Sequence, residues 1–193
     1  MKSIYTLAGS LFKVTSWKYG RVYVVTAFDF ERSENRAYSN VQYPYLKAMY
    51  PNIINLNLVG DSLDCGFFSG DIKKRNSLLD VNSNDKLIIV GHSDQYGYLE
   101  MSAERLAYIL KELNLRQVGV IKLHSCYIGK ANWMLEFKNE LKYQGINFSY
   151  LCGPKGLYCY TPKYARKYKV LAGNISKNFK GTRYTLDNVD AYF

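Results

Sequence analysis

Histidine is scarce in this chain: there are two, His92 and His124, among 193 residues. Cysteine is little commoner. Cys65, Cys126, Cys152 and Cys159 are the four, and no two stand in a Cys-x-x-Cys spacing. Two histidines and scattered thiols support a structural zinc site poorly, so no metal is expected. A chain of this size does not need disulfides to hold a core, so the thiols read as reduced. Acidic side chains are also short, with 16 Asp and Glu against 26 Lys and Arg, a net charge of +10. Such a field attracts polyanions: nucleic acid, anionic lipid or a polyphosphate ligand. Solubility alone is an equally ordinary reason for it. No apolar run approaches the roughly 20 residues that cross a bilayer. The segment MKSIYTLAGSLFKV has one Lys and a short apolar run but no clear small-residue cleavage site. A cleaved signal peptide is therefore not expected. Repeats and low-complexity stretches are absent.

What is present is enough for a globular core. The chain is 48% hydrophobic and 16% aromatic, which excludes a disordered protein. Its length fits one α/β domain spanning 1–193, with a core over about 21–152 and a basic tail over about 153–193. Residues 21–27 (RVYVVTA) read as a buried strand. Residues 39–49 read as a helix despite Pro44, and 53–59 (IINLNLV) as a strand. Residues 60–84 are polar and form a long connection, a kind often tied to function.

The centre is clearest. Residues 86–90 form a strand. Ser102 caps a helix whose apolar positions Ala103, Leu106, Ala107, Leu110 and Leu113 follow helical spacing. Residues 118–123 form the next strand. Trp133, Met134, Phe137 and Leu141 mark a second helical face, closed by Gly145, and 148–152 form a further strand. A β-α-β-α-β series implies a parallel sheet with right-handed crossovers. The tail beyond Gly153 is rich in Tyr and Lys without helical period and reads as a hairpin and loops.

In a parallel sheet the carboxyl ends of the strands share one edge, where ligands bind. His92 follows one strand and Cys126 follows the next, one crossover helix later. If those strands are neighbours, the two emerge side by side as a nucleophile and base, because a thiolate at neutral pH needs a nearby positive group. Each alone has a plainer reading, an inert thiol and a histidine satisfied by backbone. Gly91-His92-Ser93-Asp94-Gln95 approaches the G-x-S-x-G elbow but lacks its last Gly, and a hydrolase would need a histidine further downstream. His124 sits two residues before Cys126, so the two side chains would stand roughly 6.5–7 Å apart along a strand. It reads as a packing or supporting residue.

The stretch LIIVGHSDQYGYLEMSAERLAYIL followed by VIKLHSCYIG resembles the self-processing cysteine protease domains of bacterial toxins, a caspase-like family. Val90-Gly91-His92, then Ser102-Ala103-Glu104-Arg105-Leu106-Ala107, then Cys126 stand in the family's order. The resemblance covers Arg21 to about Lys169. It implies a caspase-like three-layer α/β sandwich with a mostly parallel central sheet and a C-terminal β-flap. It also implies that Cys126 is the nucleophile and His92 the base, with Gly91, Ser93 and Ser125 around the oxyanion and substrate cleft. Cleavage would follow Leu or a similar apolar residue. An acidic residue orients the histidine in some members; Asp61 is the candidate here and Asp29 the other.

Members of that family are switched on by inositol hexakisphosphate, held on basic residues under the flap. The matching cations would be Lys155, Lys163, Arg166, Lys167 and Lys169 in the tail, with Lys18, Arg21, Arg32 and Arg36 facing them. Ala165-Arg166-Lys167 resembles the flap's Gly-Arg-Lys motif. Many phosphates demand several convergent cations, and Arg gives bidentate contacts.

The expected protein is thus a monomeric cysteine endopeptidase, a toxin or effector secreted by a bacterium and acting on a protein substrate in the host cytosol. One departure stands out: Ser93 replaces the Gly that follows the family's histidine. The alternative is therefore a catalytically impaired binding module of the same fold, holding inositol phosphate, an anionic membrane surface or a host protein. Nucleic-acid binding through the 19 tyrosines is disfavoured, because they are spread throughout and no RNA-binding signature accompanies them.

Overall fold

A computed structural model describes residues 20–26, 44, 46–47, 50, 53–56, 76–97, 99, 101–157 and 168–175. Six strands form one sheet. In chain order they are β1 (Val22–Thr26), β2 (Ile53–Leu56), β3 (Lys86–Val90), β4 (Gln117–His124), β5 (Asn147–Pro154) and β6 (Tyr168–Ala172). Two helices, α1 (Ala103–Glu112) and α2 (Trp133–Tyr143), make the crossovers on either side of β4. The spatial order is β2-β1-β3-β4-β5-β6. All pairings are parallel except that of β5 with β6. The fold is α/β with a mostly parallel sheet. In the region expected as a hairpin and loops, β6 runs antiparallel along the core strand β5, with Gly153 opposite Lys169.

Local chemistry explains the elements. β3 is KLIIV, every residue buried, as a central parallel strand covered on both faces requires. Ser102 caps α1 by accepting a hydrogen bond from the Arg105 N–H at 3.1 Å, and Glu104 lies favourably in the first turn. Ala103, Leu106, Ala107 and Leu110 then face inward, the i, i+3, i+4, i+7 stripe of a helix on a sheet. α2 buries Trp133, Met134, Phe137 and Leu141. The chain leaves α2 through Gly145 at φ 71°, a left-handed conformation that costs glycine little. Strands 117–124 and 147–154 run longer than expected by one to two residues at their ends. Pro44, Leu46 and Lys47 are helical, inside the expected helix at 39–49.

Period-2 alternation divides the sheet into two different faces. Tyr23, Val25, Leu87, Ile89, Ile121, Leu123 and Leu151 join the α1 and α2 side chains in one hydrophobic core. Fully burying each such side chain contributes roughly 1.5–3 kcal/mol. The alternate positions make the other face: Val22, Val24, Lys86, Ile88, Val90, Val120, Lys122, His124 and Cys152, also buried. Tyr50 covers part of it, its hydroxyl 3.1 Å from the Lys86 Nζ.

Candidate active site at the carboxyl edge of the sheet

β3 and β4 are neighbours, with Val90 opposite His124. Two residues past both strands, that register brings His92 level with Cys126. The ladder continues beyond the strands: the Gly91 N–H donates to the His124 carbonyl at 3.3 Å. The Ser125 hydroxyl donates to the Gly91 carbonyl at 2.9 Å, buried from solvent. The Ser93 hydroxyl in turn donates to the Cys126 carbonyl. His92 is exposed and Cys126 partly exposed, so both are reachable from solvent.

The loop after His92 is short and closed. Ser93 pairs with Leu99 in an antiparallel bridge, and the Asp94 carboxylate accepts a hydrogen bond from the Tyr96 N–H at 2.9 Å. Gly97 lies at φ 90°, and the place a Cβ would take is filled by the Tyr127 carbonyl. Only glycine allows this loop to lie directly on the cysteine turn. Tyr127, next to Cys126, is itself at φ 54°, uncommon for a residue with a side chain and of the kind found at functional turns.

The cysteine turn is tied to the start of the basic tail as well. The Tyr127 N–H donates to the Gly156 carbonyl and the Gly129 N–H to the Pro154 carbonyl, both at 2.8 Å. Lys169 on β6 reaches the Ala131 carbonyl at 3.4 Å. Thus the residues expected around the cleft, Gly91, Ser93 and Ser125, stand together with His92 and Cys126. The Gly91 N–H is engaged in the ladder in this arrangement.

The expected anion-binding set is not brought together among the described residues. Arg21 precedes β1, at the amino edge of the sheet, where its main-chain N–H meets Asp85 Oδ1 at 2.7 Å and its guanidinium lies 3.4 Å from Asp85 Oδ2. The same guanidinium also donates to the Asp80 carbonyl. Lys155 and Lys169 lie at the opposite, carboxyl edge. Lys18, Arg32, Arg36, Lys163, Arg166 and Lys167 fall outside the described residues, as do Asp61 and Asp29.

A second group of titratable residues was not anticipated as a group. Lys86, Lys122, His124 and Cys152 lie on the Tyr50-covered face, with Lys122 directly opposite Cys152. Burial lowers the Lys122 pKa to about 8 and pushes that of Lys86 well below its ordinary value, where Lys122 adds repulsion. Burial, then the two lysines, holds the His124 pKa well below the usual imidazole range. The Cys152 thiol is raised by burial against the opposing pull of the lysines. The signal in sequence was a lysine inside each of two apolar strands, KLIIV and QVGVIKLH, in positions of the same parity once the strands are aligned. Among the described residues, no group of three or more His, Cys, Asp or Glu side chains is placed to hold a metal ion, and no helix is long and apolar enough to cross a membrane.

No family model matches the chain, and no curated protein matches it. Among solved structures, a PLP-bound SPT variant is similar at 10% identity and a TM-score of 0.35, over 88% of this chain and 36% of that one. A variant of serine palmitoyltransferase from S. paucimobilis with a bound PLP–myriocin aldimine is similar at 14% identity and a TM-score of 0.30, over 78% and 32%. The chain spans about a third of the length of these structures. TM-scores of this size do not define a shared fold.

Proposed function

We propose that the chain is a cysteine endopeptidase in which Cys126 is the nucleophile and His92 the base, built as a caspase-like three-layer sandwich. The observation that carries this reading is the β3–β4 register, which sets His92 level with Cys126 beyond the shared edge. In the proposed reaction the Cys126 Sγ gives its proton to the His92 imidazole and attacks the peptide carbonyl carbon, forming a C–S bond. The Ser93 and Cys126 main-chain N–H groups would meet the oxyanion. Collapse breaks the peptide C–N bond, and the amine leaves with the proton held by His92. Water, deprotonated by the same imidazole, then cleaves the acyl-thioester. The resemblance supplies the preference for Leu or a similar apolar residue before the cut, and the role as a bacterial toxin or effector in a host cell.

The same reading includes activation by inositol hexakisphosphate. Its support is the attachment of the basic tail to the cysteine turn through Gly156, Pro154 and Lys169. A ligand bound by the tail's cations would act on Cys126 through those three contacts.

The test is labelling with a peptide electrophile carrying leucine at the cleaved position, with and without inositol hexakisphosphate. Wild type, Cys126→Ala and His92→Ala are compared, and the adduct is located by mass spectrometry. Labelling of Cys126 that requires His92 and rises with the polyanion is the expected result. Labelling indifferent to the polyanion removes the activation and keeps the enzyme. Absence of selective labelling, together with thermal stabilisation by the polyanion, favours the binding module instead.

A further inference from the structure

Two loops leave the same sheet edge side by side, and each carries half of the proposed pair. Loops at such an edge are free to drift relative to one another unless something joins them. Here the joining is reciprocal. Ser125, immediately before Cys126, donates to the carbonyl of Gly91, immediately before His92. Ser93, immediately after His92, donates to the carbonyl of Cys126. The two hydrogen bonds run in opposite directions and bracket the pair. Ser125 is 2% exposed, so its bond is shielded from competing water. Gly97 closes the arrangement from outside by lying on the Tyr127 carbonyl.

We propose that Ser93 and Ser125 are positioning residues, a two-way latch that fixes the His92 loop against the Cys126 turn. The inference rests on reading His92 and Cys126 as a working pair. It also gives Ser93 a purpose: the side chain that would narrow the cleft instead spans the two loops. Glycine at that position would supply no hydroxyl for the tie.

The experiment uses the full chain and two readouts. The first is the rate of Cys126 alkylation by iodoacetamide from pH 5 to pH 10, followed by mass spectrometry. The second is amide hydrogen exchange in 91–99 and 125–131. Ser93→Ala and Ser125→Ala are each expected to slow alkylation at neutral pH about fivefold, the ordinary weight of one hydrogen bond. The rate at pH 10, above the ordinary range for thiols, should stay within about twofold of wild type. Each variant should also speed exchange in the opposite loop. Ser93→Thr and Ser125→Thr, which keep the hydroxyl, should restore both readouts.

His92→Ala separates the latch from the pair. If it flattens the neutral-pH alkylation while both alanine variants match wild type, the latch is overturned and the pair stands. If it leaves the profile unchanged, there is no pair to position, and the proposal falls with the reading beneath it. A uniform loss of stability in the alanine variants, with the pH profile unmoved, also overturns the positioning role.

Discussion

The two histidines of this chain stand in opposite settings. His92 lies beyond β3 on an exposed loop, level with a partly exposed cysteine. His124 ends β4 on a covered face, 2% exposed, near two buried lysines and a buried cysteine. The residue types are the same, and the difference is water. At the edge the imidazole is open to solvent. On the face the charged form is disfavoured by desolvation and by like charge, so His124 is held neutral where an exposed histidine would titrate. Residue type alone therefore does not separate an accessible site from a packed one; exposure does.

Replacing a buried lysine breaks the face and should have the largest effect on stability. The folded-state pKa of Lys122 is lowered from 10.5 to about 8. Below about pH 8 the native state carries the whole cost of the buried ammonium; the cost is relieved as pH rises toward 10.5, so stability increases across that window. Lys122→Met is expected to stabilise the protein at pH 7 by on the order of 3 kcal/mol, the shift converted at about 1.4 kcal/mol per unit. The gain should vanish above about pH 10.5. Urea denaturation of wild type and variant at pH 7 and pH 10 checks it, and a gain independent of pH would mean the methionine acts through packing instead.

Replacing Gly97 breaks the edge and should rank next. Alanine there must adopt φ 90° and push its Cβ toward the Tyr127 carbonyl. A loss of about 2 kcal/mol in the same denaturation experiment is expected. Cys126 labelling should fall with it, because the loop and the cysteine turn move together. An unchanged midpoint would show that the two loops are not packed as described.

The smallest effect sharpens the comparison. Because the His124 pKa lies well below 6.5 in the folded protein, the unfolded chain takes up the proton first as pH falls. Stability supplied by neutral His124 is present above about pH 6.5 and is lost on acidification, at no more than about 1.4 kcal/mol per pH unit. His124→Gln should flatten the stability profile between pH 6.5 and pH 5. A profile unchanged by the substitution would mean that His124 titrates like a solvated histidine.

Much of the framework was legible in the sequence because its signals are local. Helical spacing marked Ala103 to Leu110 and Trp133 to Leu141; Ser102 and Gly145 marked a start and a stop. Alternating and continuous apolar runs marked the central strands. The juxtaposition of His92 and Cys126 was also within reach, since two strands joined by one crossover helix tend to be neighbours. The hydroxyl ties of Ser93 and Ser125 were not, because each joins positions more than thirty residues apart. Nor was the grouping of Lys86, Lys122, His124 and Cys152, since parity within one strand says nothing about which residues stand opposite in the next.

What the sequence determined by itself is the α/β class, the β-α-β-α-β centre and the identity of the edge where His92 and Cys126 emerge. These follow from periodicity and caps, which act over a few residues. Tertiary structure alone decided that β1 separates β2 from β3, that β6 returns antiparallel along β5, and that lysines in apolar strands are covered. Those outcomes depend on register and on which layer closes over which face. Both are set by burial summed across distant segments, and no local pattern encodes that sum.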